Sequence, residues 1–398
     1  MIWPVIKFSE AISRSGLFSD GDWVESKDQD PEGDVRLIQL ADIGVGEFVN
    51  KSNRFMTSKR ADELKCSYLQ AGDILVARMP DPIGRACIFP EDMGRCVTVV
   101  DICIVRPDSE RIDNRWLMHL INSERFRNQI DRHVTGTTRQ RISRGNLAGL
   151  EIPLPPLPEQ KRIAAILDKA DAIRRKRHQA IQLADDFLRT VFLDMFGDPV
   201  TNPKGWEVKP LGQISTFENG DRSSAYPSGD DLVSEGVLFL STKNIVSDTL
   251  RLESCQYITE DKYTALSRGK ARKGDLIITL RGTLGSCCVF DCEHEKAFIN
   301  AQMMIIRPGA GIGNIFLHDL LVSKAIKNHL QGIGQGAAVP QLTAKQLKEL
   351  MLPVPPIQEQ KRYENIRGSV LASIKKMQSE SEESLFKAIT QKAFTGQL

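Results

Sequence analysis

IPLPPLPEQKR occupies residues 152–162, and LPVPPIQEQKR occupies residues 352–362. Glu159, Gln160, Lys161 and Arg162 return as Glu359, Gln360, Lys361 and Arg362, at an offset of 200. Working outward, the match continues. GTTRQRIS at 136–143 stands opposite GAAVPQLT at 336–343. GDILVAR at 72–78 answers GDLIITLR at 274–281, and GRACIF at 84–89 answers GSCCVF at 285–290. WPVIKFSEAIS near the N-terminus answers WEVKPLGQIS at 206–215. The offsets drift only between 200 and 203. A period that long is no solenoid unit of about 20–50 residues. Two copies of one large module fill the 398 residues.

Each copy has two parts. The first is mixed α and β. DILVA (73–77), ACIF (86–89) and VTVVDICIV (97–105) read as strands, because they are rich in β-branched residues and bounded by Gly, Pro and Asp. Helical segments follow over 114–130 and 314–330. The second part is a long helix. The proline-rich leads are stiff and extended and cannot themselves continue a helix. From Glu159 to Phe196 there is neither Pro nor Gly, and Gly197-Asp198-Pro199 is a stop. Ile163, Ile166, Ala170, Ile173, Arg177, Ala180, Ala184, Phe187 and Val191 recur at spacings of three and four, the seam of a coiled coil. Tyr363, Ile366, Val370, Ile374, Met377, Leu385 and Ala388 form a weaker stripe, interrupted by Gly368 and the polar run 379–384. A helix of about 38 residues is about 57 Å long. Neither helix can bury its stripe alone, and the simplest partner for one is the other. The expected fold class is therefore α+β. Two globular α/β modules stand apart on two long antiparallel coiled-coil helices, related by a pseudo-twofold axis. The expected segments are 1–155, 156–198, 199–355 and 356–398.

Composition narrows the function. Lys plus Arg is 53 and Asp plus Glu is 51, a formal charge of +2. That excludes a histone-like polycation, so any nucleic-acid binding must come from local patches. The N-terminus lacks the pattern of a signal peptide, and no apolar run reaches the roughly 18 residues of a membrane span. The expected location is cytoplasmic, with no membrane partner. Eight cysteines are too few for a disulfide scaffold. Cys287, Cys288, Cys292 and His294 cluster without the CxxC spacing of common zinc sites, so no metal is expected. Cys87 and Cys288 fall at equivalent strand positions and read as core thiols. No catalytic residues are expected either. There is no GxxxxGK[ST] loop, no GxSxG elbow and no HExxH, and GIGQG at 332–336 lacks the preceding strand of a dinucleotide site. The seven acids of 20–34 read as a solvated loop.

Basic residues are unevenly placed. Eight arginines between 111 and 145 face only Asp113, Glu124 and Asp131. Four of the polar residues around GTTRQRISRG, namely Arg139, Gln140, Arg141 and Arg144, are candidates for DNA. Arg and Gln make bidentate contacts with guanine and adenine edges, and hydroxyls and backbone amides hold phosphates. The plainer alternative is a polar loop whose arginines pair with carboxylates. Arg78 and Arg85 flank a Gly/Pro turn, and Arg281 opens RGTLG in the second copy. Such tips can reach a groove, or can be surface salt bridges. Lys243, Thr283, Gln335 and Gln341 complete the candidates in the second copy.

Two variable modules, each ending in a PPLPEQKR-like lead and a long helix, resemble the specificity subunit of type I restriction–modification enzymes. The marks are the GDIL elements, the glycine-to-glutamine loop, the two leads and the AFTGQL terminus, and the resemblance covers essentially the whole chain. It implies a non-catalytic subunit of a complex with adenine-N6 methyltransferase and ATP-dependent endonuclease activities. Each module would read one half of a bipartite, asymmetric site in double-stranded DNA. The helices would set the spacing and dock two methyltransferase subunits, with Glu159–Arg162 and Glu359–Arg362 as docking residues. Motor-nuclease subunits would complete the enzyme. S-adenosylmethionine would belong to the methyltransferase, and ATP and Mg to the motor-nuclease. A free-standing DNA-modifying enzyme and a coiled-coil scaffold are the alternatives.

Overall fold

The structure is a computed structural model. It describes residues 3–12, 16–224, 226–253, 255–334, 341–377 and 381–398, the side chains of 334 and 381–385 excepted. The chain divides into two compact units. One is Met1–Gln179 with Gln378–Leu398, and the other is Ala180–Met377.

In the first unit the elements run β1 (Val5–Lys7), β2 (Leu17–Asp20), β3 (Val35–Ile38), β4 (Phe55–Met56), α1 (Ser58–Glu63), β5 (Ile74–Ala77), β6 (Ala86–Ile88), β7 (Cys96–Thr98) and β8 (Ile102–Arg106). Then come α2 (Asn114–Asn122), α3 (Glu124–Asp131), α4 (Arg144–Ala148), β9 (Glu151–Pro153) and the start of α5 (Leu157–Phe196). Strands order as β2-β8-β5-β6 and β4-β3-β7, with β3 and β7 parallel. β5 is buried at every residue, so it carries no polar alternation. Its period of two still sorts the side chains. Ile74 and Val76 join the core under the helices, and Leu75 and Ala77 join the core on the other face of the sheet. β1 pairs with β9, placing Val5 opposite Pro153, so the module closes just before its proline-rich lead.

The second unit repeats this plan with β10 (Val208–Pro210), α6 (Leu211–Ile214), β11 (Ser215–Asn219), β12 (Leu232–Val233), β13 (Val237–Leu240), β14 (Ile245–Val246), β15 (Thr249–Leu250) and β16 (Gln256–Ile258). α7 (Glu260–Ala265), β17 (Lys270–Arg272), β18 (Leu276–Thr279), β19 (Cys287–Val289), β20 (Lys296–Ile299) and β21 (Met303–Pro308) follow. The run ends with α8 (Asn314–Val322), α9 (Lys324–Gly334), α10 (Ala344–Lys348), β22 (Met351–Pro353) and α11 (Ile357–Met377). β11-β21-β18-β19 mirrors the first four-stranded sheet, β13 and β20 are parallel, and β10 pairs with β22. The last helix, α12 (Ser381–Thr395), belongs to the first unit. Residues 378–380 lie outside the described part, and so does the start of the polar run at 379–384.

Three local readings change. The run 97–105 is two strands, because the chain turns at 99–101 after β7. The segments expected as single helices break at Ser123 and Ser323, where the Ser123 hydroxyl caps α3 by accepting from Phe126 N. The acids of 20–34 are largely tied down. Asp28 is buried and paired with Arg60 at 2.9 Å, and Asp34 accepts from Ser58 N at 2.7 Å.

Each core takes in helix ends from both copies. Ile163 and Leu167 from α5 and Phe394 from α12 enter the first core, where Phe394 meets Trp116 at 6.4 Å. Phe192 and Phe196 from the far end of α5 and Tyr363 from α11 enter the second core, where Phe196 meets Phe316 at 4.8 Å. Within the first unit α12 runs antiparallel to α5. The Arg174 guanidinium lies over Phe386 and Arg162 donates to Leu398 O. The apolar stripe of α5 is thus buried at both ends, while Ile173 and Phe187 midway are exposed.

Candidate nucleic-acid interface

Residues 135–141 form a loop closed by two backbone hydrogen bonds. Thr135 N donates to Arg141 O at 3.0 Å, and Arg141 N donates to Thr135 O at 2.9 Å. Gly136 makes the turn at φ +93, where a Cβ would lie 2.5 Å from Arg139 O. Only glycine fits there without strain. Arg139, Gln140 and Arg141 are exposed, and among the described residues their side chains have no hydrogen-bond or ion-pair partner. The loop is held at its root. Ile142 is fully buried, and its N–H donates to Arg78 O at 3.1 Å. An anchored loop with free guanidiniums and an amide can hold phosphates or read base edges.

The second unit builds the same root. Leu342 N donates to Leu280 O at 2.9 Å. Beside it Arg281 and Gln341 form an isolated antiparallel bridge, and Arg281 Nε donates to Gln341 Oε1 at 2.9 Å. Two of the sequence candidates are therefore brought together. Thr283 is exposed, and its carbonyl accepts from the Thr279 hydroxyl. Lys243 is exposed on the single turn Thr242–Asn244. Gln335 lies outside the described residues.

Arg78 and Arg85 are corrected. Arg78 is 6% exposed, forms an ion pair with Asp20 at 3.3 Å and donates to Val100 O at 2.5 Å. Arg85 is 7% exposed and donates to the carbonyls of Ile43, Met79, Pro82 and Leu40, and burial presses its pKa down. Neither guanidinium points to solvent. Their work is to fix the loop root and the turn. The shared hydrogen bonds also show that Leu280, and not Arg281, is the counterpart of Arg78. Arg281 stands one residue later, and one step along an extended chain turns a side chain to the other face. Arg144 is exposed and lies 4.0 Å from Asp20, so Asp20 serves both arginines. The sequence reading missed Asp20, because a pairing across 58 residues leaves no local signal.

Of the other arginines in 111–145, Arg115 pairs with Asp168 at 3.1 Å and Arg125 donates to Phe394 O on α12. The charge excess of that segment thus has two destinations, the long helices and the loop.

The tetrads at the leads also divide. Gln160 and Gln360 are wholly buried. Gln160 accepts from Asp113 N at 2.9 Å and donates to Arg111 O and Pro155 O, both at 2.9 Å. Gln360 accepts from Gly313 N at 2.8 Å and donates to Gly311 O at 3.0 Å and Pro355 O at 2.8 Å. They are clamps between module and helix, which corrects their expected docking role. Lys161, Arg162, Lys361 and Arg362 are exposed, with Glu159 and Glu359 paired to Arg162 and Arg362. Cys87 and Cys288 are buried at matching register, opposite Leu75 and Ile277. Among the described residues no three His, Cys, Asp or Glu side chains gather as a metal site. None of the described helices is long and apolar enough to cross a membrane.

The model of the type I restriction modification DNA specificity domain matches residues 19–183 and again 203–385. The chain belongs to the family of type I restriction–modification specificity subunits. The EcoBI specificity subunit of Escherichia coli is 23% identical over 75% of this chain and 68% of its own length. A specificity subunit from M. genitalium shares the fold with a TM-score of 0.61, at 17% identity, over 98% of this chain and 96% of that one. A chain from a study of complex assembly in the type I system aligns with a TM-score of 0.54, at 20% identity, over 100% of this chain and 98% of that one. For this specificity subunit, the repeat in the sequence and the repeat in the family match coincide.

Proposed function

We propose that each module of this specificity subunit reads one half of a bipartite, asymmetric site in duplex DNA, through loop 135–141 in one half and the Arg281–Gln341 pair in the other. The observation that carries the reading is the shared root. In both modules the residue after the loop segment, Ile142 or Leu342, makes the same backbone hydrogen bond, and the polar residues beside it differ, Arg141 in one and Gln341 in the other. A constant frame with variable polar tips suits two sites of different sequence. The long helices set the distance between the half-sites, and the exposed Lys161, Arg162, Lys361 and Arg362 are candidates for docking two methyltransferase subunits. The subunit itself is non-catalytic and cytoplasmic. Adenine-N6 methylation with S-adenosylmethionine belongs to the methyltransferase partners, and ATP- and Mg-dependent cleavage to motor-nuclease partners. The segments 1–155, 156–198, 199–355 and 356–398 are its functional parts.

The test is an exchange. Residues 206–350 are replaced by the matching stretch of another family member, and the methylated motif is sequenced in cells carrying the methyltransferase. One half of the motif should change and the other should stay. A change in both halves refutes the modular reading.

A further inference from the structure

The two modules share a second feature at the loop root. Gly21 N donates to Ile102 O at 2.7 Å, and Gly220 N donates to Met303 O at 3.4 Å. A Cβ on Gly21 would lie 2.2 Å from Val99 O, and one on Gly220 would lie 2.2 Å from Asn300 O. In both copies the chain passes a turn, 99–101 or 300–302, too closely for any residue but glycine. The next residue is aspartate in both. Asp22 Oδ2 accepts from Ser67 N at 2.9 Å, and Asp221 accepts from Ser223 N at 2.7 Å and from the Ser267 hydroxyl at 3.2 Å. With glycine and aspartate pinned, the residue after them faces outward. It is Trp23 in one module and Arg222 in the other, and both are exposed.

Trp23 is 72% exposed, the most of any large apolar side chain among the described residues. Its indole N–H donates to Glu25 Oε1 at 3.3 Å. That bond leaves the ring faces open. A large aromatic ring exposed to water is the kind of side chain that anchors an interface.

Position says which interface. The turn that holds Asp22, through Asp22 N to Thr98 O at 2.8 Å, also accepts from Arg78 at Val100 O and Asp101 O. Arg78 in turn accepts Ile142 N, the root of the arginine loop. In the second unit Arg222 donates to Ala301 O at 3.0 Å, and Leu280 N donates to Gln302 O at 2.8 Å. One short turn thus joins the residue after Gly-Asp on one side to the root at Ile142 or Leu342 on the other, twice over. Three of the acids nearby are paired with basic residues, Asp20 with Arg78 and Arg144, Glu25 with Lys27 and Asp28 with Arg60, which limits repulsion of a phosphate backbone.

We propose that the residue following each Gly-Asp pair is a second DNA contact of its module, with Trp23 making an apolar contact to base or sugar edges and Arg222 a charged contact to phosphate or a base edge. This rests on the DNA-reading function proposed above. The two chemistries predict different salt behaviour. Loss of an apolar contact leaves the salt slope alone, whereas loss of a phosphate contact lowers it by about one.

The test uses the full chain assembled with its methyltransferase subunits, titrated with duplex DNA carrying the methylated motif at several salt concentrations. Trp23→Ala should weaken binding by roughly 10- to 100-fold with an unchanged salt slope. Trp23→Phe should recover much of the loss. Arg222→Ala should weaken binding and, where it holds a phosphate, flatten the slope. Melting temperatures should not move, because both side chains are exposed. Wild-type affinity and motif in both alanine variants, with Arg139→Ala or Arg281→Ala still weakening binding, would overturn this proposal and leave the function standing. A lowered melting temperature with no rescue by Phe would also overturn it, as a structural role. Failure of the wild-type assembly to bind duplex DNA at any salt would overturn both.

Discussion

Gln160 shows how much one side chain can carry. Its amide fills three hydrogen bonds with backbone groups of 111, 113 and 155, at no exposure to water. Removal leaves one N–H and two carbonyls without partners, and each buried orphan is costly. Gln160→Ala should destabilise the first unit by about 1–3 kcal/mol, and Gln360→Ala the second by a similar amount. Denaturant or thermal unfolding measures both, and equal stability to wild type would refute the clamp. The exposed arginines should behave in the opposite way. Arg139→Ala or Arg281→Ala should leave the melting temperature in place and weaken DNA binding by about 1–3 kcal/mol if the residue reads a guanine. Unchanged DNA affinity with a lower melting temperature would point to a structural role instead. At this scale the sequence separates the classes only partly. The charge excess around Arg139 is visible in the residues. The inward aim of Arg78 and the outward aim of Arg281 depend on strand phase, which the glycine-rich turn hides.

Where module helix meets long helix, the two units solve one problem with opposite charges. Asn114 Nδ2 donates to Gly72 O and Asn314 Nδ2 to Gly274 O, so α2 and α8 are in matching register. That register makes His119 and Asp319 equivalent positions of the two copies. In the first unit His119 Nε2 lies 2.7 Å from Asp168 on α5, which also pairs with Arg115. In the second unit Asp319 pairs with Arg367 on α11 at 2.7 Å and accepts from the Tyr363 hydroxyl at 2.6 Å. Burial pushes both carboxyls up, but the hydrogen bonds from the histidines and the nearby arginines outweigh it and hold both below the usual value. A carboxyl with a lowered folded pKa adds stability above its unfolded pKa near 4, and that stability is lost as pH falls through the folded value. Thermal stability should therefore fall below about pH 4. Asp319→Asn should lower stability by about 3 kcal/mol at neutral pH and shrink that acid dependence. An unaltered pH profile in the variant would refute the joint. Periodicity and Gly/Pro punctuation located these helices. The breaks at Ser123 and Ser323 were not legible, because a capping serine inside an apolar pattern looks like any other polar residue.

The repeat made the two-module plan readable, since copies at a constant offset must fold alike. It did not show that each core takes in the end of the other copy's helix, as Phe394 does beside Trp116 and Phe196 beside Phe316. Such contacts join residues far apart in sequence, where no local pattern operates. Their consequence concerns spacing. α5 starts in the first core and ends in the second, while α11 starts in the second and α12 ends in the first. The chain therefore passes between the same two units twice, once within α5 and once between α11 and α12. Seven residues inserted near Ala180–Ala184 would lengthen one connection by about 10 Å at about 1.5 Å per residue. The other would stay short, so Phe196 and Phe394 could not both keep their places. The single insertion should lower stability and assembly with the methyltransferase. A matched insertion of seven residues after Lys375 should restore both. It should widen the gap between unchanged half-sites by at most about three base pairs, at about 3.4 Å per base pair. One or two residues inserted in both helices should fail even when matched, because each turns the terminal aromatic face by about 100°. Sequencing the methylated motif of each variant decides the matter. An active matched variant with an unchanged gap would rule out the helices as a ruler and leave them as a docking surface alone.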